Sequence, residues 1–162
     1  MEEEKKTDSQ TVTDEQKAEK KTRKAKKPVK SKPEWTIWAT GRRKTSIARI
    51  KMTPGSGKIL INSRDPDKYF GGHLRFKNCV LEPIQIIPEA SKFDYFINAH
   101  GGGLMGHSEA IRLGIARALS AYSDSFRPKL KSAGFLSRDP RMVERKKAGQ
   151  PKARKRFQWT KR

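Results

Sequence analysis

The hexapeptide Gly101-Gly102-Gly103-Leu104-Met105-Gly106 matches G-x-G-x-x-G to the letter. In that pattern glycines let a backbone turn approach a pyrophosphate at the start of a helix. Dinucleotide binding needs more than glycines, because a second parallel strand must follow and end in the acid that holds the ribose. Here Asp124 leads instead into a proline-punctuated basic stretch without a strand pattern. A Walker-type phosphate loop fails sooner, since no G-K-S/T follows. Two readings of the loop stay open: a structural turn, or a place where RNA backbone meets main-chain amides at a helix N-terminus.

Other chemistry-bearing residues are sparse. His73, His100, His107 and the single cysteine, Cys79, do not fall into a zinc spacing. No nucleophile motif surrounds a serine, and Asp65, Asp67 and Asp94 suit caps and surface charge. The expectation is a protein that is not an enzyme and needs no metal or cofactor. The basic clusters say more. Arg42, Arg43 and Lys44 follow the first strand-like stretch. Further on come Arg141, Arg145, Lys146 and Lys147, then Lys152, Arg154, Lys155, Arg156, Lys161 and Arg162. Phe157 and Trp159 interleave with the last run, offering rings that stack on bases among cations that hold phosphates. Gly149 and Pro151 prevent that segment from continuing as one helix.

Charge organises the chain into three segments. Lysine and arginine number 38 against 17 acids in 162 residues, a formal charge of +21. Such an excess repels itself unless a polyanion screens it. Residues 1–33 hold 11 basic and 7 acidic side chains and almost no large aliphatic ones, the composition of a disordered charged arm. Residues 34–126 are close to balanced and contain nearly all the periodic apolar sequence, so they form the expected globular domain. Residues 127–162 carry 14 bases and two acids, Asp139 and Glu144, and form an expected basic extension. No stretch approaches the apolar length of a membrane span, so no membrane partner is expected and nucleic acid is the favoured polyanion. One cysteine, an acidic opening and no apolar leader point to a cytoplasmic protein without a signal or transit peptide.

The elements that must position these residues follow from periodicity. Residues 45–52 alternate, with Ala48, Ile50 and Met52 on one face. The turn Pro54-Gly55-Ser56-Gly57 and a return strand over 58–61 predict a hairpin. Asp65 and Pro66 open a short helix, and residues 73–80 form another helical piece. Residues 92–99 make the clearest strand, with Phe93, Tyr95, Ile97 and Ala99 on one face and Phe96 implying partial cover on the other. Residues 108–122 place Ile111, Ile115, Ala118, Leu119 and Tyr122 at helical spacing. Interleaved strands and helices at this length predict an α/β (α+β) two-layer sandwich, one sheet with helices packed on a face.

Several of these segments together resemble a known family. Ala39-Thr40-Gly41-Arg42-Arg43-Lys44-Thr45-Ser46-Ile47-Ala48-Arg49 is similar to the opening motif of small-subunit ribosomal protein nine in its bacterial form. Pro54-Gly55-Ser56-Gly57-Lys58-Ile59, His100-Gly101-Gly102-Gly103, Ala110-Ile111-Arg112, Gly114-Ile115-Ala116-Arg117-Ala118-Leu119 and the run from Lys131 through Arg138 to Arg141 continue the pattern in order. The resemblance spans about residues 35–162 and leaves out the arm. It implies a four-stranded sheet with helices on one side, like the second domain of ribosomal protein five, plus a long extended C-terminal tail. It also implies a place in the head of the small subunit, bound to rRNA and neighbouring proteins and not as a homo-oligomer. The residues expected to meet rRNA are Arg42, Arg43, Lys44, Gly101, Gly102, Gly103, Arg112, Arg138, Arg141, Arg145, Lys146, Lys147, Lys152, Arg154, Lys155 and Arg156. Lys161 and Arg162, with Thr160, are expected at the anticodon stem-loop of tRNA in the peptidyl site. Thr160 stands where the family usually has serine, and His107 with Glu109 replaces the commoner Gln and Gly. A free nucleoid-type DNA binder and a nicotinamide enzyme remain the rival readings.

Overall fold

Strand β2, Ser46–Pro54, shows why this chain makes a sheet: Ala48, Ile50 and Met52 are wholly buried while Arg49 is exposed and Lys51 half-buried. The computed structural model of the chain describes residues 35–161; the arm expected over 1–33 and the residue Arg162 lie outside the described residues. β1, Ile37–Arg43, pairs antiparallel with β2 in the register Ile37 to Met52 through Arg43 to Ser46. Lys44 and Thr45 close that hairpin. Lys44 takes the left-handed φ of 49° that a two-residue hairpin requires at its first central position.

The hairpin expected between β2 and residues 58–61 is not formed. β3, Ile59–Ile61, pairs parallel with β4, Phe93–His100, and β4 lies between β3 and β2, giving the mixed order β1-β2-β4-β3. Asp94 shows how the loop reaches across. Its Oδ1 accepts the backbone N–H of Ser56 and of Lys58, each at 2.9 Å, while the Gly55 N–H donates to the Lys92 carbonyl. Gly55 must lack a side chain, because a Cβ there would fall 2.1 Å from the Asp94 carboxyl carbon. A turn-rich spacer between two apolar runs therefore carries the chain past the start of β4. Alternation marks a strand and its buried face but not its neighbour. β4 takes the central place because all four of its alternate residues, Phe93, Tyr95, Ile97 and Ala99, are buried.

Two helices join β3 to β4: α1, Pro66–Tyr69, and α2, Leu74–Ile86, followed by a 3-10 turn, Pro88–Lys92. Asp65 precedes α1 with Pro66 in its first turn, as expected, but its side chain makes no capping bond. The main helix, α3, spans Leu104–Tyr122 and so starts four residues earlier than periodicity indicated. Leu104, Met105 and Gly106, half of the glycine motif, are its first turn and not a loop.

The helices cover one face of the sheet. Ile111, Ile115, Ala118 and Leu119 of α3 are wholly buried with Ile50, Met52 and Tyr95 of the strands. α3 comes so close to β1 that a Cβ on Gly41 would lie 1.8 Å from the Ala110 carbonyl oxygen. The opposite face leaves Trp38 68% and Phe96 41% exposed, so the cover expected over Phe96 is not seen among the described residues.

Packing continues past Phe126, where the charge count alone placed the end of the domain. A 3-10 turn, Asp124–Phe126, leads into α4, Arg127–Ser132, whose Leu130 is wholly buried, and Phe135 and Leu136 pack against the same core. Basic neighbours had hidden three apolar residues in an averaged charge. From 137 to 161 the chain forms neither helix nor strand.

Substituting Gly41→Ala should lower stability by about 2 kcal/mol, because the atoms that the methyl would meet are α3 backbone at Ala110 and Gly114, which cannot yield as a side chain would. Urea unfolding followed by circular dichroism measures it. An unchanged midpoint would show that α3 can retreat from β1.

Candidate nucleic-acid interface

One end of the sheet gathers the β1–β2 turn, the glycines after β4 and the start of α3. Gly101 and Gly102 have φ of 73° and 67°. A Cβ on Gly101 would lie 2.5 Å from the Thr45 carbonyl oxygen, and one on Gly102 would lie 2.3 Å from Ser46 Oγ. The glycines are thus required twice, by dihedral angle and by contact. Ser46 Oγ donates to the Gly101 carbonyl at 3.0 Å, and His107 Nε2 lies 2.6 Å from the same oxygen. His107 Nδ1 lies 2.7 Å from the Tyr69 hydroxyl. A carbonyl can only accept, so Nε2 carries a proton there, and Nδ1 shares a hydrogen bond with the Tyr69 hydroxyl. Burial pushes the Tyr69 phenol up from its ordinary value, against a smaller lowering by Arg64, so it keeps its proton. His107 is accordingly a brace between α1 and the glycine turn.

Gly103 is the N-cap of α3, where no side chain caps the helix. The first-turn amides, with a partial positive charge, open beside the exposed Lys44, Gly102 and Gly103. Lys44, Thr45, Gly102, Gly103 and Leu104 line one groove. Such a groove suits a phosphate. The dinucleotide alternative loses its context, since among the described residues α3 is followed by α4 and no strand. Nor do three His, Cys, Asp or Glu side chains among the described residues come together as a metal cluster.

Arg43, named above as an rRNA ligand, is placed differently from its neighbours. It is 7% exposed, and its guanidinium is filled from within the protein. Nε pairs with Glu109 of α3, Nη2 lies 2.9 Å from Asp139 Oδ2, and Nη1 donates to the Arg141 carbonyl at 2.9 Å. Strand alternation is the cause: Gly41 and Arg43 face the helices while Arg42 faces away. Asp139 also accepts the Arg141 backbone N–H at 2.9 Å and its guanidinium at 2.7 Å. The Arg141 guanidinium and backbone N–H, with Arg43 beside them, hold the Asp139 carboxyl well below the usual carboxylate range. Glu109, one of the two departures from the family pattern, is one arm of this latch.

The remaining cations divide into two sets. Arg112 pairs with Glu82 at 2.8 Å and lies 5.4 Å from the Phe135 ring centroid; Arg154 pairs with Glu144. Arg138, Arg145, Lys146, Lys147, Lys152, Lys155, Arg156 and Lys161 are exposed and form no ion pair among the described residues. Thr160 is exposed with them, as are Phe157 at 72% and Trp159 at 86%. The structure thus brings together Lys44 and the glycines, sets Arg42 on the face of the sheet turned away from the helices, and leaves the cations beyond Arg141 outside that cluster. Sequence reasoning missed the latch acids. The available signal was Asp139 itself, one of two acids in so basic a segment.

Replacing Arg43 by Met should cost on the order of 3 kcal/mol, because half-buried Glu109 loses its counter-ion and Asp139 keeps only Arg141. Arg42→Met should change stability by no more than about 0.5 kcal/mol. Equal midpoints in urea would show that the latch holds nothing. Acid should act in a fixed direction. A depressed carboxyl adds stability that is complete above its unfolded value of about 3.9 and is lost as pH falls below it. Amide exchange at Arg138, Asp139 and Arg141, corrected for intrinsic rate, should therefore be steady from neutrality to about pH 5 and speed up below about pH 4, and Asp139→Asn should abolish that change.

Comparison with known sequences agrees with this chemistry. The family described as ribosomal protein S9/S16 matches residues 41–162. Small ribosomal subunit protein uS9 of Anaeromyxobacter sp. (strain K) is 52% identical over 122 residues, covering 75% of this chain and 93% of that protein. Its counterpart in Chlorobium limicola is 50% identical over 126 residues, covering 78% and 97%. That of Amoebophilus asiaticus is 54% identical over 126 residues, covering 78% and 98%. With half the residues identical across nearly the full length of these relatives, the chain belongs to the ribosomal protein S9/S16 family.

Proposed function

We propose that this protein is a structural, non-enzymatic constituent of the small ribosomal subunit in the cytoplasm, bound to rRNA and neighbouring proteins in the subunit head. Its sheet and helices correspond to the second-domain fold of ribosomal protein five. The body docks on folded rRNA through Lys44 and residues 101–103, where a cation and uncapped amides face outward together, and through Arg42 on the face of the sheet turned away from the helices. The basic segment beyond Leu136 threads between phosphates and ends at the anticodon stem-loop of peptidyl-site tRNA, with Thr160, Lys161 and Arg162 at the contact.

One observation carries this reading: the cations that follow the latch, Arg154 with its Glu144 partner excepted, are exposed and form no ion pair among the described residues, whereas those at its root are neutralised within the fold. Repulsion among unpaired cations leaves such a segment without a fixed course until phosphates screen it. Each phosphate it neutralises releases counterions, so binding weakens steeply with salt. Arginine can hold a phosphate by two parallel hydrogen bonds without reading sequence, which suits a site that accepts every tRNA. The glycine turn, read as a dinucleotide grip, would need a ribose-binding acid that no following strand supplies.

Removing Lys161 and Arg162 should leave the protein in small subunits, seen by co-sedimentation, and weaken tRNA retention in the peptidyl site by roughly tenfold at low salt, with a shallower salt dependence. Filter binding across a salt series measures it. Equal affinity of intact and truncated subunits at every salt concentration would remove the tRNA contact.

A further inference from the structure

The face of the sheet turned away from the helices is aromatic as well as basic. Strand register lines up its outward residues in rows: Trp38 of β1 is paired with Lys51 of β2, Lys51 with Phe96 of β4, and Phe96 with Leu60 of β3. The next row holds Thr40, Arg49 and Asn98, and the one beyond it Arg42, Ile47 and His100. The Lys51 ammonium lies 5.9 Å from the Trp38 ring centroid. Alternation obliges these positions to face outward, since Ile50, Met52, Tyr95 and Ile97 fill the core. It does not oblige them to be aromatic, and threonine or lysine would serve a strand in water equally well.

We propose that this face binds an unpaired stretch of RNA, with one base stacked on Trp38, another on Phe96, and the flanking phosphates held by Arg49 and Lys51. The inference rests on the reading of the chain as an rRNA-binding protein and adds a second contact surface to it. Trp38 and Phe96 stand two strands apart, about 10 Å, so each ring takes its own base. A duplex hides its base faces, whereas looped-out nucleotides offer them. Charge selects RNA over a protein partner. Arg42, Arg49 and Lys51 are the cations of the face, and its carboxylate, Asp94, is engaged by the N–H groups of Ser56 and Lys58. The rings are separated by Lys51, so they do not form the continuous apolar patch that a protein interface core requires.

The test compares the full chain with the double variant Trp38→Ala, Phe96→Ala, using an oligoadenylate of about twelve nucleotides as probe. High salt is chosen because there the electrostatic grip of the basic tail collapses while stacking persists. Both side chains lie outside the core; should the alanine pair unfold, Trp38→Thr with Phe96→Thr keeps strand propensity and answers the same question. The variant should bind roughly tenfold or more weakly, with an unchanged slope of log affinity against log salt, because stacking releases no counterions. Equal affinity overturns the proposal. A variant that keeps its oligoadenylate affinity but no longer enters reconstituted small subunits also overturns it, and assigns the face to a protein. Entry of the intact chain into those subunits is scored separately. If it enters while the affinity comparison fails, the sheet-face contact alone is lost; if it does not enter, the ribosomal reading falls.

Discussion

The side chain on which the architecture turns is Arg43, a cation that strand alternation drives toward the helices. A guanidinium withdrawn from water costs several kcal/mol unless opposite charge and hydrogen bonds replace its hydration. Glu109 supplies one carboxylate from α3, and Asp139 supplies the other from the chain beyond α4. The Arg141 carbonyl takes a further N–H. Three segments distant in sequence therefore meet on one group. Two cations, Arg43 and Arg141, balance two anions, Glu109 and Asp139, so the cluster is neutral in a protein that is otherwise far from neutral.

That neutral cluster divides the chain by electrostatic role. On its inner side, cations stabilise the fold: Arg112 bonds Glu82 and covers Phe135, and Arg117 donates to the Thr40 carbonyl at 2.7 Å. On its outer side, cations have no comparable internal role. A net charge of +21 would be hard to reconcile with a stable body if it were spread evenly. Nine of the bases, against the single acid Glu144, lie beyond the pinned root, which keeps their repulsion out of the core and makes them available to a polyanion.

Much of the fold was legible because period-2 and period-3.6 patterns were strong. Ala48, Ile50 and Met52, then Phe93, Tyr95, Ile97 and Ala99, and then Ile111, Ile115, Ala118 and Leu119 all face the core as their spacing indicated, while Tyr122, at the end of that stripe, is 44% exposed. Pairing was not legible, since β3 and β2 are separated by four residues yet have β4 between them. What carries the chain across is Asp94, whose carboxylate gathers loop amides from residues far away in sequence. The same limit applied to the site. Residue type singled out Arg42, Arg43 and Lys44 as one cluster, but only the sheet shows that the middle one faces inward. Likewise His107 and Glu109 stood out as departures, and their partners Tyr69, Gly101 and Arg43 could be known only once the chain was folded.

The two kinds of RNA contact proposed for this protein differ in what they demand of the fold. Phosphate contacts by Lys152, Lys155 or Arg156 need charge but little rigidity, because a flexible cation finds the nearest anion and its attraction is screened by salt. Stacking needs a ring held at a fixed height and tilt, and it is largely indifferent to salt. A β-sheet provides that fixity. Trp38 is clamped through its backbone to β2, and Phe96 stands on the central strand between two neighbours. The tail rings, Phe157 and Trp159, lie where the chain forms neither helix nor strand, so any stacking there must first overcome the entropy of ordering the backbone. On the proposed reading the rigid platform and the cationic strand complement each other, since the body would fix position on the RNA and the tail would follow the phosphates.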